Sequence, residues 1–356
     1  MGSAVGNKRG VALLMTLSII AILVVTTLEL HRKVRSSVYF SATARDRVSL
    51  NHMALSGVHA AMALLVRDKE DSTIDSIQED WANPEKLSEL VSDISFEEGG
   101  VEIEIIDELG KIQVNALVDF PEGRQFNESQ REMWDHFLNL VISPLERTED
   151  TAPTPIINSI KDWLDYGDDD ATTGLSGAES DYYQDLVPPY ACRNGPVIHL
   201  GELPMIKGIT PAFFQGVGGV PGIDGYMTVF GSKAADNGRF SFKGAININT
   251  ADLPVIAALL PPENETLAQS IVEYRGAVSD GGFVNDLSRA TWYKEAPGCS
   301  ELAIDPNLIT TSSDVFQIRS KATFRDMKME IAAIVTREKE KETGKWMGKL
   351  LSWEEK

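Results

Sequence analysis

Residues Val11 to Leu28 form a run of eighteen apolar or hydroxyl-bearing residues without a single charge. Lys8, Arg9 and Gly10 abut it on one side, and Glu29, His31, Arg32 and Lys33 close it on the other. At a rise of about 1.5 Å per residue a helix of this length extends roughly 27 Å, the thickness of a hydrocarbon core. Three readings fit such a run: a secretory signal, a plain anchor, or a helix that packs beside copies of its own kind. A secretory signal needs a small-residue cleavage motif after the run, and VVTTLELHRK contains none. As an anchor, the run is oriented by Lys8 and Arg9, which hold the N-terminus in the cytoplasm.

From His31 to Arg67 the sequence has no proline and one glycine, Gly57. Val34, Val38, Val48, Leu55, Val58, Met62 and Leu65 recur near the helical period. The spacing predicts one unbroken helix from the membrane into an aqueous domain, on the order of 85 Å long. Uncapped helices of this length are transmembrane, coiled-coil or assembly elements.

The motif KRG followed at once by this helix resembles the leader of type IV pilins and type II secretion pseudopilins. The resemblance implies cutting by a prepilin peptidase between Gly10 and Val11, N-methylation of Val11, and retention of the apolar helix for packing in a filament. Most members carry a glutamate at the fifth mature position, where this chain has Met15. A carboxylate in an apolar bundle is costly unless paired, and in the filament it meets the terminal ammonium of the subunit above. A subunit with nothing above it can carry an apolar residue instead, which is the pattern of the minor pseudopilin K.

The remaining chain suits that family in order. GGVEIEIIDELGKIQVNAL alternates like two strands around a turn at Glu108–Lys111, with Val101, Ile103 and Ile105 on one face. Short amphipathic segments such as EMWDHFLNLVISPLE and IINSIKDWLDY then read as helices broken by Pro, Gly and Asp. ININTADLPVIAALLP reads as a strand and a helix, with Thr250 or Asp252 as N-cap. VFQIRSKATF and MKMEIAAIVTRE alternate around Arg325–Asp326 as a hairpin, and KWMGKLLSWEE adds a strand. DELGKIQVN, DWLDYGDDD with GAESDYY and PPY, LPMIKGIT, INTADLPVIAALLP and LLSW resemble the K pseudopilins in sequence order.

The expected fold class is α+β: a long N-terminal helix packed on a pilin-like antiparallel sheet, with a large, mostly helical inserted domain. The expected divisions are a leader at 1–10, a transmembrane helix at 11–30, and the first part of the pilin-like domain at 31–120. The inserted helical domain follows at 121–238, a strand and helix-hairpin-helix-like segment at 239–312, and the final strands at 313–356.

Between Asp162 and Asp185 there are eight acids and no base. An acidic run is an ordinary solvated face, but Asp clusters on Gly-containing loops also supply the six to eight oxygens that calcium takes. Asp168, Asp170, Thr172, Ser176 and Glu179 fit EF-hand spacing, yet Thr173 stands where the loop needs glycine. The resemblance to K pseudopilins implies Ca2+ in this region, with Asp162, Asp165, Asp168, Asp169, Asp170, Glu179 and Asp181 as candidate ligands. Trp163, Tyr166, Tyr182 and Tyr183 are placed to pin the loop to a core. Cys192 and Cys299 allow one disulfide if the body is exported and two buried thiols if it is not.

A net charge of -20 disfavours nucleic acid, so LPMIKGITPAFF and ADLPVIAALLP are read as helix-packing pieces. Only His136 and His199 lie outside the long helix, and GxSxG, HExxH, CxxC and P-loop motifs are absent, so no enzyme is expected. The resemblance implies a minor pseudopilin at the tip of a periplasmic pseudopilus, anchored once in the inner membrane with its body in the periplasm. Its partners would be other minor pseudopilins, the major pseudopilin and the prepilin peptidase, with the outer-membrane secretin or cargo as further contacts. The alternatives are a minor pilin of a type IV pilus and a single-pass anchored periplasmic binding protein.

Overall fold

The computed structural model describes residues 8–92, 94, 96, 98–142, 149–167, 172–234 and 240–355. Helix α1 (Lys8–Asp71) is 64 residues long, about 96 Å at the helical rise. Every residue from Gly10 to Ala42 is exposed. The polar groups inside the apolar run turn inward: Thr16, Ser18, Thr26 and Thr27 donate to carbonyls three or four residues back, at 2.7–3.0 Å. Those hydroxyls therefore need no water, and the run shows only apolar surface outward. Among the described residues one helix is long and apolar enough to cross a membrane, which fits a single-pass anchor.

The last third of α1 packs on a four-stranded antiparallel sheet. Its strands β1 (Gly100–Asp107), β2 (Val315–Phe324), β3 (Met327–Lys339) and β4 (Trp346–Glu355) lie side by side in that order. Leu50, Met53, Ala54, Val58, Ala61 and Leu65 of α1 meet Val101, Ile105, Phe316, Ile318, Ile331 and Val335 in one buried cluster. Trp81 and helix α2 (Pro84–Ser92), through Leu87 and Val91, close its end. Gly57 explains itself here: a Cβ would stand 2.2 Å from Ser320 Oγ and 2.8 Å from Val101 Cγ1. Helix and sheet approach too closely for a side chain.

β1 and β2 pair directly, Asp107 opposite Phe316, although 207 residues (108–314) separate them. That intervening chain builds a second core. Trp134, Phe137, Tyr183 and Trp292 are its largest wholly buried side chains, and it gathers residues from Ile112 to Ile309. Its helices are α3 (Glu128–Val141), α4 (Pro153–Leu164), α5 (Ser180–Gln184), α6 (Pro211–Gln215), α7 (Leu253–Leu259) and α8 (Ala268–Arg275). The division expected near residue 238 does not separate two cores, because Ile223 and Met227 share this cluster with Ile246 and Ile256.

The α+β class and the hairpin about Arg325, whose φ is +52°, agree with the sequence reading. The turn expected at Glu108–Lys111 lies between two strands as read, but those strands do not pair with each other. Asp107 Oδ1 accepts from Leu109 N at 2.8 Å and winds Glu108–Gly110 into a 3₁₀ turn. Ile112–Gln113 then pairs in parallel with Met227–Thr228 rather than back onto β1. Ile112, Val114 and Leu117 are all buried, so the segment enters the second core instead of alternating between core and water.

The two cores are joined through Asp107. Its Oδ2 accepts from Asn247 Nδ2 and Thr250 Oγ1, each at 2.7 Å, and Asn247 Nδ2 also donates to Asp75 O at 2.9 Å. Burial raises the Asp107 carboxyl above the usual carboxylate range, against the pull of these hydrogen bonds. Thr250 thus serves the joint, and Asp252 is the N-cap residue of α7 without a side-chain bond.

Candidate functional site

Helix α4 carries Pro153 in its first turn and buries Ile156, Ile157, Ile160, Trp163 and Leu164 in the second core. Embedding so much of its surface brings polar residues of the last turn inside as well. Asp162 is only 1% exposed, and Thr173 N donates to its Oδ1 and Oδ2 at 3.2 and 3.1 Å. Asp165, the residue that ends α4, is buried and takes Lys161 Nζ on Oδ2 at 2.5 Å. Glu179, buried, precedes α5 as its N-cap residue.

These three carboxylates converge: one oxygen of each lies within 4.8 Å of the other two. Gly177 makes room for them, because a Cβ there would stand 1.9 Å from Asp162 Oδ2 and 3.1 Å from Thr173 N. An aromatic stack fixes the surroundings. Trp163 meets Tyr183 edge-on at 5.0 Å, and Tyr183 meets Tyr190 at 5.4 Å. Burial pushes the Tyr183 phenol up, so it stays neutral, and its hydroxyl oxygen accepts from Lys207 N at 3.3 Å.

An all-oxygen donor set, enclosed and held by one lysine beside three acids, is the chemistry of a hard cation. The residues present fit calcium. Of the seven candidate ligands read from the sequence, Asp162, Asp165 and Glu179 come together. Asp181 is exposed in the first turn of α5 and stands outside that group. Asp168, Asp169 and Asp170 lie outside the described residues. Trp163 and Tyr183 are buried as pins, whereas Tyr166 and Tyr182 are 38% and 39% exposed. Cys192 and Cys299 are two buried thiols that are not joined to each other. Cys192 Sγ donates to Asp162 O at 3.5 Å, and Cys299 Sγ to Pro297 O at 3.6 Å.

At the other end of the molecule the Gly10–Val11 peptide lies in the first turns of α1, with nothing within 4 Å of the Gly10 Cβ position. Met15 is 62% exposed on the same helix.

A second charged cluster was invisible to sequence reasoning. Asp68 and Lys69 end α1, Asp75 and Glu79 follow on the next loop, and Arg337 comes from β3. Arg337 Nη1 donates to Asp68 Oδ2 and Leu65 O, each at 3.1 Å, and its Nη2 donates to Asp75 Oδ1. Lys69 Nζ reaches Asp75 Oδ2 at 3.2 Å, and Ser313 N donates to the same oxygen at 2.8 Å. Burial, with the charges of Glu79 and Asp75, pushes the Asp68 carboxyl up to about 7. Arg337 and Lys69 pair with Asp68 and Asp75, and the cluster locks α1 to the sheet. Arg337 stands 262 residues beyond Asp75, so no local spacing could have joined it to the acids.

Comparison with known proteins adds three findings. Two family models, each described as type II secretion system (T2SS), protein K, match residues 110–218 and 246–308. Both matches fall between β1 and β2, inside the second core. Type II secretion system protein K of Pseudomonas aeruginosa is 25% identical over 277 residues, covering 76% of this chain and 73% of that protein. That of Klebsiella pneumoniae is 27% identical over 216 residues, and the chain spans 60% of its length. The crystal structure of the GspK-GspI-GspJ complex from the enterotoxigenic Escherichia coli type 2 secretion system contains a chain of the same fold. Its TM-score is 0.63 at 14% identity, over 89% of this chain and 99% of that one.

Proposed function

We propose, from the premise that this chain belongs to the type II secretion system protein K family, that it is a minor pseudopilin at the tip of a periplasmic pseudopilus. Its work is structural: α1 anchors the subunit and packs with the helices of other minor pseudopilins, while the two-core head caps the assembly. The observation that carries this reading is the division of α1 itself. More than thirty residues stand wholly exposed, and the last third is buried under the sheet. A helix exposed over such a length needs lipid at one end and other subunits along the rest. The related complex, named for GspK, GspI and GspJ, supports sister minor pseudopilins as the partners. We place the anchor in the inner membrane, with the N-terminus cytoplasmic and the head periplasmic, from Lys8 and Arg9 beside the apolar run.

Two finer parts belong to the same proposal. The prepilin peptidase cuts after Gly10, and Val11 becomes the methylated N-terminus. Asp162, Asp165 and Glu179 hold a calcium ion whose chemistry here is electrostatic, tying the end of α4 to the start of α5.

The test is co-purification. The full chain, extracted from membranes in mild detergent, should elute with the host's other minor pseudopilins, and its deletion should stop export of the system's cargo. A chain that elutes alone, with export intact in the deletion strain, would overturn the assignment.

A further inference from the structure

The last turn of α4 borders a recess of about 670 Å³ on the second core. Trp163, Tyr166, Pro196 and Met205 give it apolar walls, and Asp162, Asp165 and Glu179 are not among its lining residues. One rim is the turn Arg193–Pro196, which is held firmly in shape. Arg193 Nε donates to Pro196 O at 2.5 Å, and its Nη1 donates to Glu202 Oε2 at 3.0 Å. Glu202 Oε1 accepts from Ile198 N and His199 N, each at 3.1 Å. Gly195 N donates to Trp163 O at 3.4 Å and ties the turn to α4. Asn194 has φ +50°, a left-handed conformation that asparagine tolerates.

Two polar atoms of the lining are left over. Trp163 is only 2% exposed, and its indole Nε1 finds no partner among the described residues. Asn194 Oδ1 is likewise buried and unpartnered there. Buried polar atoms ordinarily find a partner, because leaving one unmade is costly. The two are complementary: one donates and the other accepts. A secondary amide offers the oxygen and the hydrogen that match them.

Charge and surface narrow the ligand further. Arg193 and Glu202 are the charged residues of the lining, and they pair with each other. The recess therefore suits an uncharged ligand, and its engaged polar groups leave little for a row of sugar hydroxyls. Tyr166 and Met205 are each more than a third exposed, and the unbranched Met205 side chain is free to shift as a ligand enters. Aromatic walls with an indole donor are the chemistry that takes up extended, proline-containing chain, whose conformation is set in advance. Residues other than proline must alternate with it, because Asn194 needs an N–H.

We propose that this recess binds an uncharged, extended, proline-containing segment of a partner protein. Trp163 Nε1 donates to a peptide carbonyl of that segment, and Asn194 Oδ1 accepts from a peptide N–H. The site lies on the second core and goes beyond the assembly role, which rests on α1.

Fluorescence anisotropy on the full chain in detergent tests it, with a fluorescein-labelled peptide of alternating alanine and proline as the probe. Trp163→Phe keeps a ring and removes the N–H, and Asn194→Gly suits the same φ and removes the amide. Each should weaken binding about fivefold, the loss of one hydrogen bond. Trp134→Phe makes the same change at another buried, unpartnered indole of the second core and should leave binding unaltered. With nitrogen-15 tryptophan, the indole resonance that Trp163→Phe deletes should move downfield as peptide is added. Equal binding in the parent and these variants, equal weakening by Trp134→Phe, or no binding at millimolar peptide would each overturn the site. Binding of an N-acetylglucosamine oligomer in place of the peptide, weakened by Trp163→Phe and Asn194→Gly, would make the ligand a glycan and overturn the protein segment. Co-purification with sister subunits is a separate result, so the assembly role and this site stand or fall independently.

Discussion

Gly177 shows how one missing atom can define a site. The nearest oxygen of Asp162 would lie 1.9 Å from a Cβ at this position, and real Cβ atoms do not approach so near. Gly177→Ala must therefore push the Asp162 carboxylate away from Asp165 and Glu179. If calcium occupies the cluster, a hundredfold excess over its dissociation constant stabilises the full chain by about 2.7 kcal/mol. The rise in Tm on adding calcium in detergent should be present in the parent and largely lost in Gly177→Ala. Equal rises in both would exclude these three acids as the ligands. Asp68 offers a second measurement. Its folded carboxyl keeps a proton up to about pH 7, whereas an unfolded aspartate releases it near 3.9. Folding therefore takes up a proton between those values, and this group's contribution, complete below about pH 4, is lost as pH rises to 7. Partial exposure screens the effect, which should be about 1–2 kcal/mol. Asp68→Asn should flatten the decline of stability over that window, and an unchanged slope would show that other groups set it.

At the scale of elements, the head behaves as a four-stranded sheet whose first connection has been expanded into a second core. Opposed residues in an antiparallel pair stand about 5 Å apart, so the ends of the expansion at Asp107 and Phe316 could be joined by a short link. Among the described residues, the first core draws on α1, Trp81, α2 and the four strands. Replacing residues 109–312 by a few glycines and serines should leave a folded sheet, with its strand signal retained in circular dichroism and its cooperative melt intact. It forfeits the Asn247 bridge between Asp107 and Asp75. An uncooperative melt would mean that the sheet depends on the expansion for its order. This architecture was partly legible. Period-two alternation exposed β1, β2 and β3, where buried residues alternate with wetter ones. The segments at 112–113 and 246–247 were read as strands, but their brevity and their parallel partners were not legible. Ile112, Gln113, Ile246 and Asn247 are all buried, and a segment buried on every side carries no periodicity to read.

For the whole molecule, legibility followed distance along the chain. The membrane run, the long helix and the acidic stretch are local in sequence, and each could be seen there. The Arg337–Asp75 lock, the packing of β4 on α1, and the convergence of Asp162, Asp165 and Glu179 depend on residues that only folding brings together. The leader belongs to the first kind, and its consequence reaches furthest. Lys8–Gly10 and the apolar run are continuous helix, exposed from Gly10 onward. If the cut occurs, the ten residues carrying Lys8 and Arg9 depart, and the new ammonium at Val11 sits at the start of an apolar helix with Met15 where a pairing carboxylate would stand. Intact-mass measurement of the membrane-extracted chain, with and without the host prepilin peptidase, reads this directly. The expected product begins at methylated Val11 only when the peptidase is present, and in the same extract Met15→Glu should be cut equally, since the fifth residue acts in packing and not in cleavage. An unprocessed N-terminus in both strains would leave α1 as an anchor that never enters a filament, and would confine the subunit's role to its head.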